Sequence, residues 1–131
     1  MNDGTRMKRA LAKLVLAPLL EAGFTGSHPH LRRTVGVRME LVSFQTDKWG
    51  GGFLIELATC PSKNIRDWAG QRVAAARVTA HHMAERVRLP KVVNRRAWYR
   101  YDTSTDEARF DKIAKQALTH LQRHISGLEL I

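Results

Sequence analysis

The sequence predicts an α+β fold, an antiparallel sheet of about five strands with an N-terminal and a C-terminal helix packed on one face. Three observations lead there. Apolar residues recur at three- and four-residue steps at both ends of the chain, they alternate singly between residues 35 and 57, and no repeat or long linker separates these stretches. A chain of 131 residues buries about 70% of its unfolded surface. We therefore expect one domain over residues 1–131 that needs neither disulfide nor metal to fold.

Residues 5–22 form the first helix in this reading, with Thr5 as N-cap and Met7, Ala10, Leu11, Leu14 and Leu19 on the apolar face. Pro18 lacks a backbone donor and predicts a bend. Gly23 ends the helix as a left-handed cap, with Phe24 folding back on Leu19. Val35, Val37, Met39 and Leu41 then alternate with polar residues, and the alternation slips at Val42 and Phe44, which predicts a bulge or strong twist near Leu41. Phe53, Ile55 and Leu57 make the next strand, and the turn-rich run Thr46–Gly52 joins the two as a hairpin connection. Residues 61–84 read as a loop with one short helical piece near Gln71–Arg77. Arg86–Leu89 and Ala97–Tyr101 supply two more strands. The last helix starts from a capping box, Ser104 with Glu107, carries Phe110, Ile113, Ala114, Ala117, Leu121 and Ile125 on one stripe, and stops at Gly127.

Charge is the unusual property. The chain carries 22 Lys and Arg against 12 Asp and Glu, a net charge of +10. Residues 60–100 hold ten of the basic residues and only Asp67 and Glu85 to oppose them. Trp68, Trp98, Tyr99 and Tyr101 fall in or beside the same stretch. Basic groups interleaved with aromatic faces suit either an acidic protein partner or nucleic acid. Helix-turn-helix, KH-type and zinc-finger spacings are all missing from the sequence.

Catalytic chemistry finds little support. Gly50-Gly51-Gly52 precedes a strand and lacks the Lys-Ser/Thr of a phosphate loop. His120 and His124 stand one helical turn apart but without the Glu of a zinc-protease helix, and His124 projects towards the apolar stripe. No nucleophile or paired carboxylate has a recognisable context, so we expect no catalytic residue, no metal and no cofactor. The single cysteine, Cys60, excludes an internal disulfide. Lys13 interrupts the apolar run after Arg9, and no window reaches the roughly 18 apolar residues of a membrane span. A cytoplasmic protein without a membrane partner is expected.

Leu16-Ala17-Pro18-Leu19-Leu20-Glu21-Ala22-Gly23-Phe24, Val42-Ser43-Phe44-Gln45 with Lys48-Trp49, Phe53-Leu54-Ile55-Glu56-Leu57, and Arg86-Val87-Arg88-Leu89 ahead of Trp98 carry a resemblance. On these motifs the chain resembles the bacterial family called domain of unknown function 4304, over nearly its whole length. Glu56 departs from the family's usual asparagine-like position. The resemblance implies a single α+β domain of bacterial origin and brings no activity, cofactor or catalytic residue.

Polar groups beside exposed aromatics suit recognition, which selects Gln45, Lys48, Trp49, Arg86, Arg88 and Trp98 as candidate binding residues. The competing reading is structural, with the tryptophans capping the sheet and the arginine stems covering apolar surface. The sequence thus predicts a non-enzymatic binding module for an acidic partner, with nucleic-acid binding through residues 60–100 as the alternative and an unrecognised enzyme behind both.

Overall fold

A computed structural model describes residues 2–92 and 95–128. The fold is α+β, with helical segments at both ends and an antiparallel sheet between them. The N-terminal segment comprises α1 (Asp3–Leu11), a π-helical turn (Ala12–Leu16) and α2 (Ala17–Glu21). Among the described residues the strands are β1 (Thr25–Ser27), β2 (His30–Val35), β3 (Arg38–Thr46), β4 (Gly52–Pro61), β5 (Ile65–Arg66), β6 (Arg72–Val73), β7 (Val87–Leu89), β8 (Lys91–Val92), β9 (Arg95–Arg96) and β10 (Tyr99–Arg100). The C-terminal helix is α3 (Arg109–Gln122). The main sheet runs β1-β2-β3-β4-β10 with β7 also on β4, while β5-β6 and β8-β9 are separate pairs.

The chain forms two compact units, and β4 contributes to both. The first holds residues 1–23, 46–54 and 89–131. In it α3 packs on α1, on the π turn and on β10. Phe110, Ala114, Ala117, Leu118 and Leu121 are buried on α3, and Met7, Ala10, Leu11, Val15 and Leu19 on the N-terminal segment. The helix starts where Asn2 Oδ1 accepts from Thr5 N–H at 2.8 Å, so Asn2 is the cap and not Thr5. Pro18 cannot supply the usual i−4 bond, and the chain answers with a wider turn just before it, in which Ala17 N–H reaches Ala12 C=O. That wider turn takes Leu14 off the buried face and puts Val15 there, fully buried. Gly23 closes the segment at φ 102° with its N–H on Leu20 C=O, as a left-handed cap requires.

α3 begins later than its sequence signal. Ser104 Oγ accepts from Asp106 N–H and Asp106 Oδ1 from Ala108 N–H, two successive turns in place of a capping box. Glu107 is drawn instead into an ion pair with Arg6 on α1. His124 lies beyond the helix end and is exposed, not in the apolar stripe.

The second unit holds residues 24–45 and 55–88. The β2-β3 register runs unbroken from Val35 opposite Arg38 to His30 opposite Ser43, so no bulge interrupts that pairing at Leu41. The slip in alternation has another cause: Leu41, Val42, Ser43 and Phe44 are all buried, so β3 is covered on both faces there. On one face Met39, Leu41, Ala58 and Cys60 pack with Val78 and Ala80. The segment that covers this face, residues 65–83, contains the β5-β6 pair and two short 3-10 turns, Ala75–Arg77 and Ala80–His82. It has few ladder bonds of its own. Arg32 compensates by donating from its guanidinium to the carbonyls of Ala75 and Val78, the latter at 2.9 Å.

Candidate functional site

Two polar features stand out in the second unit. The first is a buried carboxylate. Glu56, on β4, is 5% exposed. Its Oε1 lies 2.9 Å from His81 Nδ1 and its Oε2 accepts from Arg86 Nε at 3.0 Å. His81 meets His30 edge to face with ring centroids 5.3 Å apart, and His30 Nδ1 lies 2.9 Å from Ser43 Oγ. Ser43 Oγ also accepts from Ala80 N–H at 3.3 Å. A serine, two histidines and a glutamate in series resemble a hydrolytic relay, but Ser43 is 0% exposed and its hydroxyl oxygen already holds the covering segment to the sheet. Burial, with the neighbouring His81, His82 and Arg32, holds the His30 imidazole below its usual 6.5 and therefore neutral. The cluster is a polar anchor for the covering segment, built to satisfy a buried charge.

The second feature is an arm, the hairpin of β5 and β6. Asp67 builds its tip: Oδ1 accepts from both Ala69 and Gln71 N–H at 2.9 Å, and Gly70 N–H donates to Asp67 C=O with φ 79° at the glycine. Asn64 Oδ1 accepts from Ala75 N–H at 2.9 Å and fixes the base. Trp68 N–H donates to His82 C=O at 3.1 Å, which ties the tip to the Ala80–His82 turn, while the Trp68 side chain stands out with the residue 69% exposed. Arg66 and Arg72 are directly opposed in the β5-β6 pair. His81 and His82 part company on the 3-10 turn. The first goes to Glu56, and the second accepts from Thr79 N–H through Nδ1 and lines a cavity beside the arm.

The six residues chosen from sequence fall in both units. Arg86 holds Glu56. Gln45 is exposed near the end of β3, and Arg88 is half-buried on β7. In the first unit Lys48 Nζ lies 5.1 Å from the Trp49 ring, which is 85% exposed on the turn between β3 and β4. The same turn is joined to Trp98 by Arg100, which donates to Asp47 Oδ2 at 2.7 Å and stacks 5.9 Å from the Trp98 ring. The Gly50–Gly52 run is the hairpin connection that its context predicts. Buried Tyr99 and half-buried His120 form a further pair, 2.6 Å from Oη to Nδ1. Burial pushes the Tyr99 hydroxyl up and holds His120 below 6.5, so both groups of the pair are neutral at neutral pH.

A family model described as Domain of unknown function (DUF4304) matches residues 15–126. The chain belongs to the DUF4304 family. The arm, the Glu56 cluster and the Tyr99–His120 pair of this DUF4304 member all lie within the matched residues. Comparisons with curated proteins and with solved structures give no match. Among the described residues, no three His, Cys, Asp or Glu side chains of this DUF4304 domain converge as metal ligands, and no helix is long and apolar enough to cross a membrane.

Neither Arg38 nor Met83 carries a signal in the sequence, and Trp68 does not stand out there as a binding residue. Two-residue strands give no periodicity to detect. The usable signal was turn chemistry, Asp67 and Gly70 between Ile65-Arg66 and Arg72-Val73.

Proposed function

We propose that this protein is a non-enzymatic binding module of the cytoplasm that receives an acidic protein partner on the β5-β6 arm. The observation that carries this reading is the opposition of Arg66 and Arg72. Like charges set directly across an antiparallel pair are destabilising, and a carboxylate-bearing partner relieves them. Lys63 and Arg77 add to the same field, and among the described residues none of these four cations has a carboxylate within the 4.0 Å of an ion pair. The contrast with Arg86 and Arg100, each already paired, supports the arm as the face offered to a ligand. Trp68 at the tip adds the kind of rigid aromatic contact that dominates binding energy at interfaces.

The test is fluorescence anisotropy with a labelled glutamate-rich peptide and a mixed-sequence single-stranded oligonucleotide of equal charge, each titrated at about 50 and 200 mM salt. The peptide should bind at both salt concentrations and lose affinity when Arg66→Ser and Arg72→Ser are combined. Absence of peptide binding, or equal binding by the double variant, overturns the proposal. Oligonucleotide binding that falls log-linearly with salt, without peptide binding, replaces it with a nucleic-acid module.

A further inference from the structure

Beside the arm lies a solvent-open cavity of about 420 Å³, lined by residues of β3, β4, the hairpin tip and residues 82–85. That volume falls within the roughly 300–1,000 Å³ of ligand pockets. Arg38 and Arg66 both line it. Each is oriented by one hydrogen bond, Arg38 Nη2 to Thr59 Oγ1 at 3.1 Å and Arg66 Nη1 to Gly70 C=O at 2.9 Å, which leaves most of each donor fork for a ligand. Trp68 and Met83 supply an indole face and a thioether, both suited to an aromatic ring. Asp67 and Glu85 complete the wall. The Asp67 Oδ1 atom is occupied by the turn, whereas Glu85 carries no ion pair among the described residues.

We propose that this cavity receives an aromatic side chain together with the carboxylate next to it, from the acidic segment that docks on the arm; the inference rests on the acidic-partner reading. The charge balance selects this ligand over a polyanion. Two guanidinium groups face two carboxylates, so a run of acidic groups gains little inside the cavity, while one carboxylate set against the arginine forks, with a ring against Trp68, gains both contacts and leaves Glu85 unopposed by further negative charge. The outer cations Lys63, Arg72 and Arg77 attract the segment, and the cavity reads it.

Two labelled acidic peptides of equal charge distinguish the steps, one with phenylalanine beside a glutamate and one with alanine in its place. The phenylalanine peptide should bind about two- to twelvefold more tightly, the range expected of an aromatic pair. Trp68→Ala, at an exposed side chain, should remove that preference and Trp68→Phe should restore most of it, while Arg38→Gln should weaken both peptides. Equal binding of the two peptides, or a preference that survives Trp68→Ala, overturns the cavity assignment and leaves the acidic-partner reading intact. Failure of both peptides to bind overturns the two together.

Discussion

Arg86 reaches back thirty residues along the chain to hold Glu56, its Nε 3.0 Å from a carboxylate that is 5% exposed. The pair joins the stretch after the covering segment to the strand beneath it. Arg86→Met should destabilise the protein by about 1–3 kcal/mol in urea unfolding, because it strands part of a buried charge, with His81 as the remaining partner. Acidic-peptide affinity should stay unchanged. A loss of affinity at unchanged stability would move Arg86 from anchor to ligand-binding residue.

At the arm the expected signs are reversed. Arg66→Thr removes one of two like charges directly opposed in a strand pair, so stability should hold or rise by about 0.2–1 kcal/mol. Peptide affinity should fall. Urea titrations and anisotropy on the same variant check both halves, and a variant that is both less stable and equally tight would contradict the arm's role.

Acid should destabilise the protein below neutrality. His30 and His120 are both held below the ordinary 6.5, principally by burial. A base whose folded pKa is depressed binds fewer protons folded than unfolded, so its contribution is complete above the unfolded value and is lost as pH falls through the folded one. Thermal melts should therefore give a lower Tm at pH 5 than at pH 7.5, and His120→Gln should flatten part of that slope. Asp106 adds a later loss below its ordinary 3.8, since the Lys112 ammonium and the Ala108 N–H hold its carboxyl down. A Tm independent of pH between 7.5 and 5 would contradict the burial of both histidines.

Two left-handed glycines should respond differently to substitution. Gly26 sits at φ 107° on β1, and a Cβ there would come within 2.6 Å of the His30 carbonyl oxygen. Gly36 at φ 60° meets nothing within 4 Å. Gly26→Ala should cost about 1–3 kcal/mol or more, while Gly36→Asn should cost a few tenths, as asparagine tolerates that conformation. Denaturant midpoints of the two variants give the comparison.

Cys60 is 1% exposed, and burial pushes its thiol above the ordinary range. Native protein should react with a thiol reagent only at the rate at which it unfolds, and immediate stoichiometric labelling would show that the β4 face is open.

The long elements were legible in the sequence because their apolar periods span several turns or pairs. The α3 stripe, the existence of β3 and β4, and the Gly23 stop stand where their patterns put them, but the single alternation does not hold: Val35 and Val37 are exposed about the β2-β3 turn, and residues 52–58 of β4 are buried in succession because both faces are covered. What could not be read depended on partners far along the chain. Leu14 yields its place to Val15 because Pro18 forces a wide turn, and Glu107 leaves its capping role because Arg6 is near. Of the six candidate binding residues, Arg86 belongs to the Glu56 anchor, and the arm escaped notice because strands of two residues have no period. Glu56 stands in the sequence as a departure from a family position and as a carboxylate without catalytic context, and its burial becomes visible only with His81 and Arg86 in place.

The guanidinium of Arg32 clasps the covering segment by the carbonyls of Ala75 and Val78, atoms that every amino acid possesses. Side chains between Asn64 and Ala75 are therefore free of that grip. Exchange at the outward positions Arg66, Trp68 and Arg72 leaves that clasp in place, whereas Ile65 and Val73, seated on the core cluster, and Asp67, which shapes the turn, are part of the mounting itself.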